Sequence, residues 1–376
     1  MVNSMKKNYK SNKIIFLCII FFFLSSILSI YSASIYLKES LYIKQILWYI
    51  IGSIVIYGIF KIKNKYFYDN TKLFYFGTII LLFLLLLFAP SINGSKCWFV
   101  LPKIGNFQPS EFMKIFLILI LSKEVYEFNK SESHTTKEEL KFLGKYFLLV
   151  ALPSILTFLE PDTGAVIIYL VIAVTLLFFS NLRIRWFILL ISIFILGIGS
   201  IFYLYFYQKE LFIQIFSTKL FYRLERILSW TDKTSYQLEN ALIAEGTSGI
   251  LGHGIKKIPL YFPEGTTDFI FATLLSTFGF LGSITFLIVT FIFDIELVKI
   301  IIKSKSLNKY TAIGSLGMLL YQQVQNIGMN IGLLPITGIT LPFLSYGGSS
   351  LLSYMILMGF LININYQNEK RHISMS

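Results

Sequence analysis

Ten apolar runs, most of them about 20 residues long, constrain the fold of this chain more than any other feature. We predict membrane spans at 14–36, 45–61, 73–90, 109–126, 146–161, 163–180, 184–207, 268–298, 310–333 and 342–364. Only 14% of the residues are charged, whereas a soluble domain keeps roughly 25%. The sequence therefore predicts an all-α, polytopic membrane protein that forms a single domain over 1–376, with one large loop at 208–267.

The basic residues predict the orientation of this bundle. The first run, 14–36, is too long for a signal peptide and no small-residue cleavage site follows it, so we expect a retained helix. Lysines and arginines crowd the short segments on the side of the termini, and the opposite side carries only Lys38, Lys44, Lys96 and Lys103. The positive-inside rule then puts both termini in the cytoplasm and the 208–267 loop outside.

Other chemistry is disfavoured by the pattern. The net charge of +13 is spread between apolar runs and forms no single patch, so we expect no nucleic-acid partner. Cys18 and Cys97 fall at different predicted depths, which argues against a disulfide. His134, His253 and His372 are scattered, and no metal-ligand spacing occurs. The segments on the predicted outer face are instead rich in Gly, Pro, Asn and Gln at bilayer depth, which indicates a structured cavity there.

Asp268 lies where the long loop ends and an apolar run begins. A carboxylate at the mouth of a membrane helix costs free energy, so such acids are functional candidates. Burial would raise its pKa and the helix dipole would lower it, and the sequence does not say which effect is larger. The structural alternative is that Asp268 only caps the helix that follows.

Six motifs follow one another along the outer segments: Gly94-Ser95-Lys96-Cys97-Trp98, Phe107-Gln108-Pro109-Ser110-Glu111 with Lys114, Pro161-Asp162-Thr163-Gly164, Tyr236-Gln237 with the glycines 249, 252 and 254, Pro263-Glu264 with Thr267-Asp268-Phe269-Ile270-Phe271, and Asn326-Ile327-Gly328 through Ser349. In this order, on a ten-helix profile, they resemble the SEDS family of bacterial membrane proteins (RodA, FtsW and SpoVE). The resemblance covers nearly the whole chain.

The resemblance implies a peptidoglycan glycosyltransferase. Such an enzyme polymerises lipid II into glycan strands beside a class B penicillin-binding protein. The 4-hydroxyl of one lipid-linked disaccharide attacks C1 of another, and undecaprenyl pyrophosphate leaves with inversion. This reaction needs one base on the hydroxyl, for which Asp268 is the candidate, and positive charge on the leaving group.

Several basic residues could meet the pyrophosphate. We expect Lys96 and Arg223 first, with Lys114, Arg226, Lys256 and Lys257 as further candidates. A divalent cation, Mg²⁺ or Mn²⁺, could share this role. The alternative is that these side chains are solvated or bind anionic headgroups.

Five more residues complete the predicted substrate-binding set: Trp98, Glu111, Tyr236, Gln237 and Glu264. Trp98 could stack on a sugar or belong to an interfacial belt. Glu111 could equally form a salt bridge with Lys114, one helical turn away. We also predict an amphipathic helix on the outer leaflet over 211–230.

The chain departs from the family at Thr266, where a histidine is usual, and at Ser276-Thr277, where two glutamates are usual. These changes leave open a specialised or weakened enzyme. Two other functions therefore stay as alternatives, a lipid II flippase and a non-catalytic scaffold that activates a penicillin-binding protein. A flippase needs a polar path through the bilayer, and the inner halves of these helices carry few ionisable residues.

Overall fold

The structure is a computed structural model that describes residues 2–36, 40–91, 95–101, 105–216, 218, 221 and 236–375. The helices in this part of the chain are α1 (Val2–Ala33), α2 (Leu41–Ile62), α3 (Asn64–Asp69), α4 (Thr71–Phe88), α5 (Pro109–Phe128), α6 (Thr136–Leu159), α7 (Thr163–Phe178), α8 (Ile184–Tyr207), α9 (Lys209–Phe216), α10 (Tyr236–Gly246), α11 (Ile270–Lys303), α12 (Ser306–Asn330) and α13 (Gly348–Met375). A 3-10 turn covers Ser34–Tyr36, and the strands β1 (Phe99–Leu101) and β2 (Gly105–Phe107) pair antiparallel.

In the part of the chain that the structure describes, ten long helices, each at one of the ten predicted spans, confirm the predicted all-α architecture. By length and composition, α1, α2, α4, α6, α8 and α13 are able to cross a membrane, and α7 is a shorter apolar helix. The remaining three long helices, α5, α11 and α12, carry the buried polar residues described below.

Among the helix ends that differ from the predicted spans, two differ for local reasons that the structure shows. α6 begins at Thr136 rather than at 146, because Thr135 and Glu138 form a reciprocal capping box that starts the helix in polar sequence. α13 begins at Gly348 rather than at 342, because the preceding residues turn back along the segment that carries Asp268. We predicted the spans from apolar runs alone, and polar caps and turns do not belong to such runs. Their effect on the helix ends was therefore not predicted.

Burial separates a central group of helices from peripheral ones. In α13, 83% of the membrane-length window is buried, and this helix packs against α2 and α5. α12 packs against α5, α7 and α11, and α1 packs along α11. By contrast, α8 has no buried residue. The polar side chains of α5, α12 and α13 therefore lie inside protein, where hydrogen-bond partners can satisfy them.

α11 is broken at Gly279, which has a φ of 67° and a ψ of −165°. The turn segment 249–254 lies across this break and completes its backbone hydrogen bonds. His253 and Gly254 donate to the carbonyls of Ser276 and Thr277, and Phe280 donates back to Gly249. A Cβ at Gly252 would lie 2.3 Å from the Thr277 carbonyl oxygen, so only glycine permits this approach.

Candidate active site

Asp268 lies in an irregular turn, 263–269, that leads into α11. Three successive backbone carbonyls of this turn accept hydrogen bonds from the other side of the site. Tyr346 donates its backbone N–H to the Thr266 carbonyl (2.8 Å), and the Ser345 hydroxyl donates to the Thr267 carbonyl (2.7 Å). The third, the carbonyl of Asp268 itself, is held by two side chains from α12. The backbone at Asp268 is thus fixed on both sides.

Those two side chains are the fully buried asparagines Asn326 and Asn330. Their Nδ2 atoms donate to the Asp268 carbonyl at 2.8 and 2.9 Å. The Asn330 Oδ1 accepts from the backbone N–H of Ala272 at 2.9 Å, which satisfies one of the free donors in the first turn of α11. Asn330, and not Asp268, therefore caps this helix, and the capping alternative for Asp268 does not hold.

The Asp268 carboxylate receives no hydrogen bond from the described residues and is only partly buried. Gly338, which has a φ of 70°, faces it. A Cβ there would lie 3.6 Å from the Asp268 Oδ2. Burial raises the pKa of Asp268 to about 7, and the charges of Glu264 and Asp162 add to the rise. A carboxyl with this pKa accepts a proton more readily near neutrality than an ordinary aspartate does.

Asp162, at the N-terminus of α7, is surrounded by donors. Its Oδ1 accepts from the backbone N–H of Ala165 (3.0 Å), and its Oδ2 accepts from Gln108 Nε2 (2.9 Å) and from the Ser110 hydroxyl (3.1 Å). Trp98 donates its indole N–H to the Gln108 Oε1 (3.2 Å). The tryptophan, which we predicted near the substrate, is thus linked through Gln108 to an aspartate that is close enough to Asp268 to raise its pKa.

Glu111 and Lys114 form an ion pair at 2.6 Å inside the bundle. Lys114 is fully buried, and its ammonium lies 5.3 Å from the centre of the Tyr354 ring. The Tyr354 hydroxyl accepts from Gln322 at 2.8 Å, and Ser353 donates to Glu111 at 3.3 Å. This geometry favours the salt-bridge alternative for Glu111, and it makes Lys114 an internal counter-ion.

The other predicted residues lie in different surroundings. The Lys96 ammonium donates to the Leu86 carbonyl at the end of α4 (3.2 Å). Glu264 is exposed, and its Oε2 accepts from the Thr267 hydroxyl (2.6 Å). Tyr236 is 62% exposed at the start of α10, and Gln237 beside it is half-buried.

Arg223 and Arg226 lie outside the described residues, as does most of the predicted amphipathic helix. Of that segment, the structure describes α9, which ends at Phe216, together with residues 218 and 221. The two remaining basic candidates lie on the loop that follows Gly254. The Lys256 ammonium lies 4.3 Å from the centre of the Tyr31 ring, and Lys257 is exposed.

The departures from the family pattern have structural partners. Ser276 is fully buried, and its hydroxyl contacts His253 Nδ1 at 3.2 Å. Thr277 donates to the Ser32 hydroxyl on α1 at 2.9 Å. Both side chains therefore help hold the 249–254 segment and α1 against the break in α11. Thr266, the third departure, is buried, and its carbonyl accepts the hydrogen bond from Tyr346 that holds the turn of Asp268.

The sequence analysis did not predict which side chains position Asp268. A signal was present, because α12 carries five amides in nine residues of a membrane helix: Gln322, Gln323, Gln325, Asn326 and Asn330. Such side chains need buried partners. Within the described residues, no three His, Cys, Asp or Glu side chains lie together as metal ligands.

Comparison with known proteins agrees with the fold. The fold is that of a polytopic, all-α membrane protein with a carboxylate site at one end of the bundle. Residues 12–370 match the FtsW/RodA/SpoVE family model, described as cell cycle protein. The chain belongs to this family.

Curated relatives carry an enzyme name. The chain is 33% identical over 344 residues to the probable peptidoglycan glycosyltransferase FtsW of Buchnera aphidicola, and the match covers 88% of this chain and 85% of the relative. It is 32% identical to the peptidoglycan glycosyltransferase MrdB of Helicobacter pylori, with 86% and 82% covered. The predicted class of enzyme is thereby confirmed.

Solved structures confirm the fold. A chain of a peptidoglycan synthase complex superposes with a TM-score of 0.77 at 24% identity, and the match covers 94% of this chain and 97% of that one. RodA of Thermus thermophilus superposes with a TM-score of 0.68 at 21% identity, with 94% and 96% covered.

Proposed function

We propose that this protein polymerises lipid II into glycan strands at the outer face of the bacterial cytoplasmic membrane, with Asp268 as the base. The observation that carries the proposal is the contrast within one residue. The backbone of Asp268 is held by two buried asparagines, whereas none of the described residues donates a hydrogen bond to its carboxylate. A base must be fixed in position and free to accept a proton, and this arrangement meets both needs.

In this reaction Asp268 accepts the proton of the acceptor's 4-hydroxyl while that oxygen attacks C1 of the donor. The donor C1–O bond breaks, and undecaprenyl pyrophosphate leaves as an anion that needs no acid. Inversion at C1 follows from the single displacement. Lys96 and Arg223 are the cations that we expect at the pyrophosphate.

A divalent cation would fit this site only together with its substrate. Mg²⁺ is commonly held by one or two carboxylates and by substrate phosphates, and it keeps several waters. Glu264 is the exposed carboxylate beside Asp268 that could supply such a ligand. The ion would add positive charge where the pyrophosphate leaves.

The outer face is proposed from the distribution of basic residues, which places both termini in the cytoplasm. A class B penicillin-binding protein is the expected partner. Its support is the similarity in fold to a chain of a peptidoglycan synthase complex.

The test is polymerisation of purified lipid II by detergent-purified protein, with and without a co-purified penicillin-binding protein. We expect glycan ladders from the wild type and a loss of about 10³-fold in Asp268→Asn, since general-base catalysis contributes about 10²–10⁴-fold. Asp69→Asn, on the exposed end of α3, is the matched control and should polymerise normally.

Ladders of equal yield from the wild type and Asp268→Asn would keep the enzyme and reject this base. No ladders from either protein, even with partner and divalent cation present, would support the flippase or the scaffold. Transport of a fluorescent lipid-linked disaccharide in liposomes would then separate these two functions.

A further inference from the structure

A cavity of about 140 Å³ lies at the Asp268 end of the bundle, and Glu264 is one of the residues that line it. Its walls come from the end of α1, from the loop before α11 and from the first turns of α11. The lining side chains that matter here are Tyr36, Tyr261, Phe262, Glu264 and Thr273. Tyr261 and Glu264 are exposed, so the cavity opens towards solvent at these two residues.

Two tyrosines form an aromatic corner in this cavity. The rings of Tyr36 and Tyr261 lie 5.6 Å apart at 60° to each other. The Tyr36 hydroxyl donates to the Ile258 carbonyl at 2.7 Å, which fixes its ring. The Tyr261 carbonyl accepts from Asn240 on α10 at 2.9 Å, which fixes its backbone. Tilted aromatic faces of this kind attract organic cations.

Glu264 adds a negative charge to the same cavity. Its backbone has a φ of 57°, and its carbonyl accepts from the backbone N–H groups of Thr267 and Phe269, so the residue is held in place. Its Oε2 accepts from Thr267, and no lysine or arginine of the described residues forms an ion pair with it. An ammonium group binds where a negative charge and aromatic faces lie together and no cation of the protein already occupies the site. The described residues around this cavity provide that combination.

The size of the cavity narrows the ligand. An engineered cavity of about 150 Å³ holds one benzene ring, so this cavity accepts a short alkyl arm but excludes a disaccharide. The same surface already shows the corresponding contact, because the ammonium of Lys256 lies 4.3 Å from the centre of the Tyr31 ring. Glu264 is four residues from Asp268, so a group bound here belongs to a molecule that reacts at Asp268, or to one that lies beside it.

We propose that this cavity binds the primary ammonium group at the end of a short alkyl arm, and that the arm is the amino-bearing side chain in the peptide of the lipid-linked disaccharide. The inference rests on the proposed function for the identity of the substrate. It makes Glu264 and Tyr261 specificity-determining residues that recognise the peptide while the sugars react at Asp268.

The experiment compares two lipid II substrates, one with a free lysine side chain in its peptide and one with that amine acetylated. For the wild type we expect acetylation to raise KM about three- to tenfold with little change in kcat, as for a cation–π and carboxylate contact at a partly exposed site. In Glu264→Gln and Tyr261→Leu the two substrates should have the same KM. Glu210→Gln, an exposed acid on α9, is the matched control and should discriminate as the wild type does.

Binding of n-butylammonium to the full-length protein in detergent, followed by saturation-transfer NMR, provides a readout that needs no catalysis. We expect binding by the wild type and Glu210→Gln, and none by Glu264→Gln. Binding that survives in Glu264→Gln would overturn the site. If no protein polymerised either substrate, the proposed function would fail, while the NMR result would still decide whether the ammonium site exists.

The source of the amine is tested separately. Glu264-dependent binding of n-butylammonium, together with equal KM values for the two lipid II substrates in the wild type, would overturn the assignment to the substrate. It would point to a lysine of a partner protein instead.

Discussion

Asp162 and Asp268 are two aspartates at the same end of the bundle, each just ahead of a helix, yet their carboxylates are treated in opposite ways. Asp162 caps α7 and accepts three hydrogen bonds. Asp268 accepts none from the described residues, because Asn330 caps α11 in its place. A carboxylate whose oxygens already accept hydrogen bonds from the protein has a structural role. A carboxylate that accepts none from the described residues, on a backbone that is held in place, is available to contact a substrate. The difference lies in the neighbours and not in the residue type.

The comparison also explains how the pKa of Asp268 is set. Donors stabilise a charged carboxylate and lower its pKa, and no residue in the described part of the chain donates to the Asp268 carboxylate. Burial therefore dominates and raises the pKa to about 7, with Glu264 and Asp162 adding negative charge nearby. Burial also raises the pKa of Asp162, but the Ala165 N–H and Ser110 oppose that rise.

Among the variants that keep Asp268 itself, the largest expected effect comes from removing a side chain that holds the Asp268 backbone. Asn330→Leu deletes one of the two amide donors to the Asp268 carbonyl, which keeps Asn326, and it removes the acceptor for Ala272, whose buried N–H is left unpaired. We expect polymerisation to fall by about 10²-fold, since misplacement of a catalytic group by about 1 Å can cost this much. Glycan ladders from lipid II measure the loss.

The control for this variant is Asn365→Leu. Asn365 is a buried asparagine on α13, 17 residues beyond its first residue and thus about 25 Å along the helix from the Asp268 end. It should keep wild-type activity per folded molecule. Equal activity losses in the two variants, at equal thermal stability, would show that the asparagines near Asp268 have no special positioning role.

A smaller effect is expected when the saturated aspartate loses its charge. Asp162→Asn still offers an oxygen to cap α7, but its amide opposes the donors of Gln108 or Ser110. We expect about a tenfold loss of kcat/KM, from one mismatched buried hydrogen bond. Asp162→Glu keeps the charge and serves as the comparison variant. A loss as large as that in Asp268→Asn would instead make Asp162 a second catalytic residue.

The fold was predictable from the sequence because apolar runs of membrane length are a strong, local signal. The roles of the individual residues within the site were harder to predict. The sequence shows that Asp268 lies at the mouth of a helix. It does not show that Asn330, 62 residues away in the chain, caps that helix. Likewise, Glu111 and Lys114 were recognisable as a pair one turn apart, whereas their full burial beside Tyr354 depends on packing between α5 and α13.

The smallest effect tests the pKa of the bare carboxylate directly. Asp268 must be ionised to act as a base, so kcat/KM should fall as the pH drops through its pKa of about 7. The negative charge of Glu264 contributes to that raised pKa. Glu264→Gln should therefore move the midpoint of the acid limb to lower pH. We expect a shift of roughly a few tenths of a pH unit, the size that one neighbouring charge produces through a water-like medium.

This experiment measures the pH at the midpoint of the acid limb and not the maximal kcat/KM. A higher KM in Glu264→Gln therefore does not affect the result. Glu210→Gln should leave the midpoint unchanged. An unchanged midpoint in Glu264→Gln would mean that burial alone sets the pKa of Asp268. A shift to higher pH would contradict the sign of the interaction, because removing a negative neighbour makes the carboxylate easier to ionise.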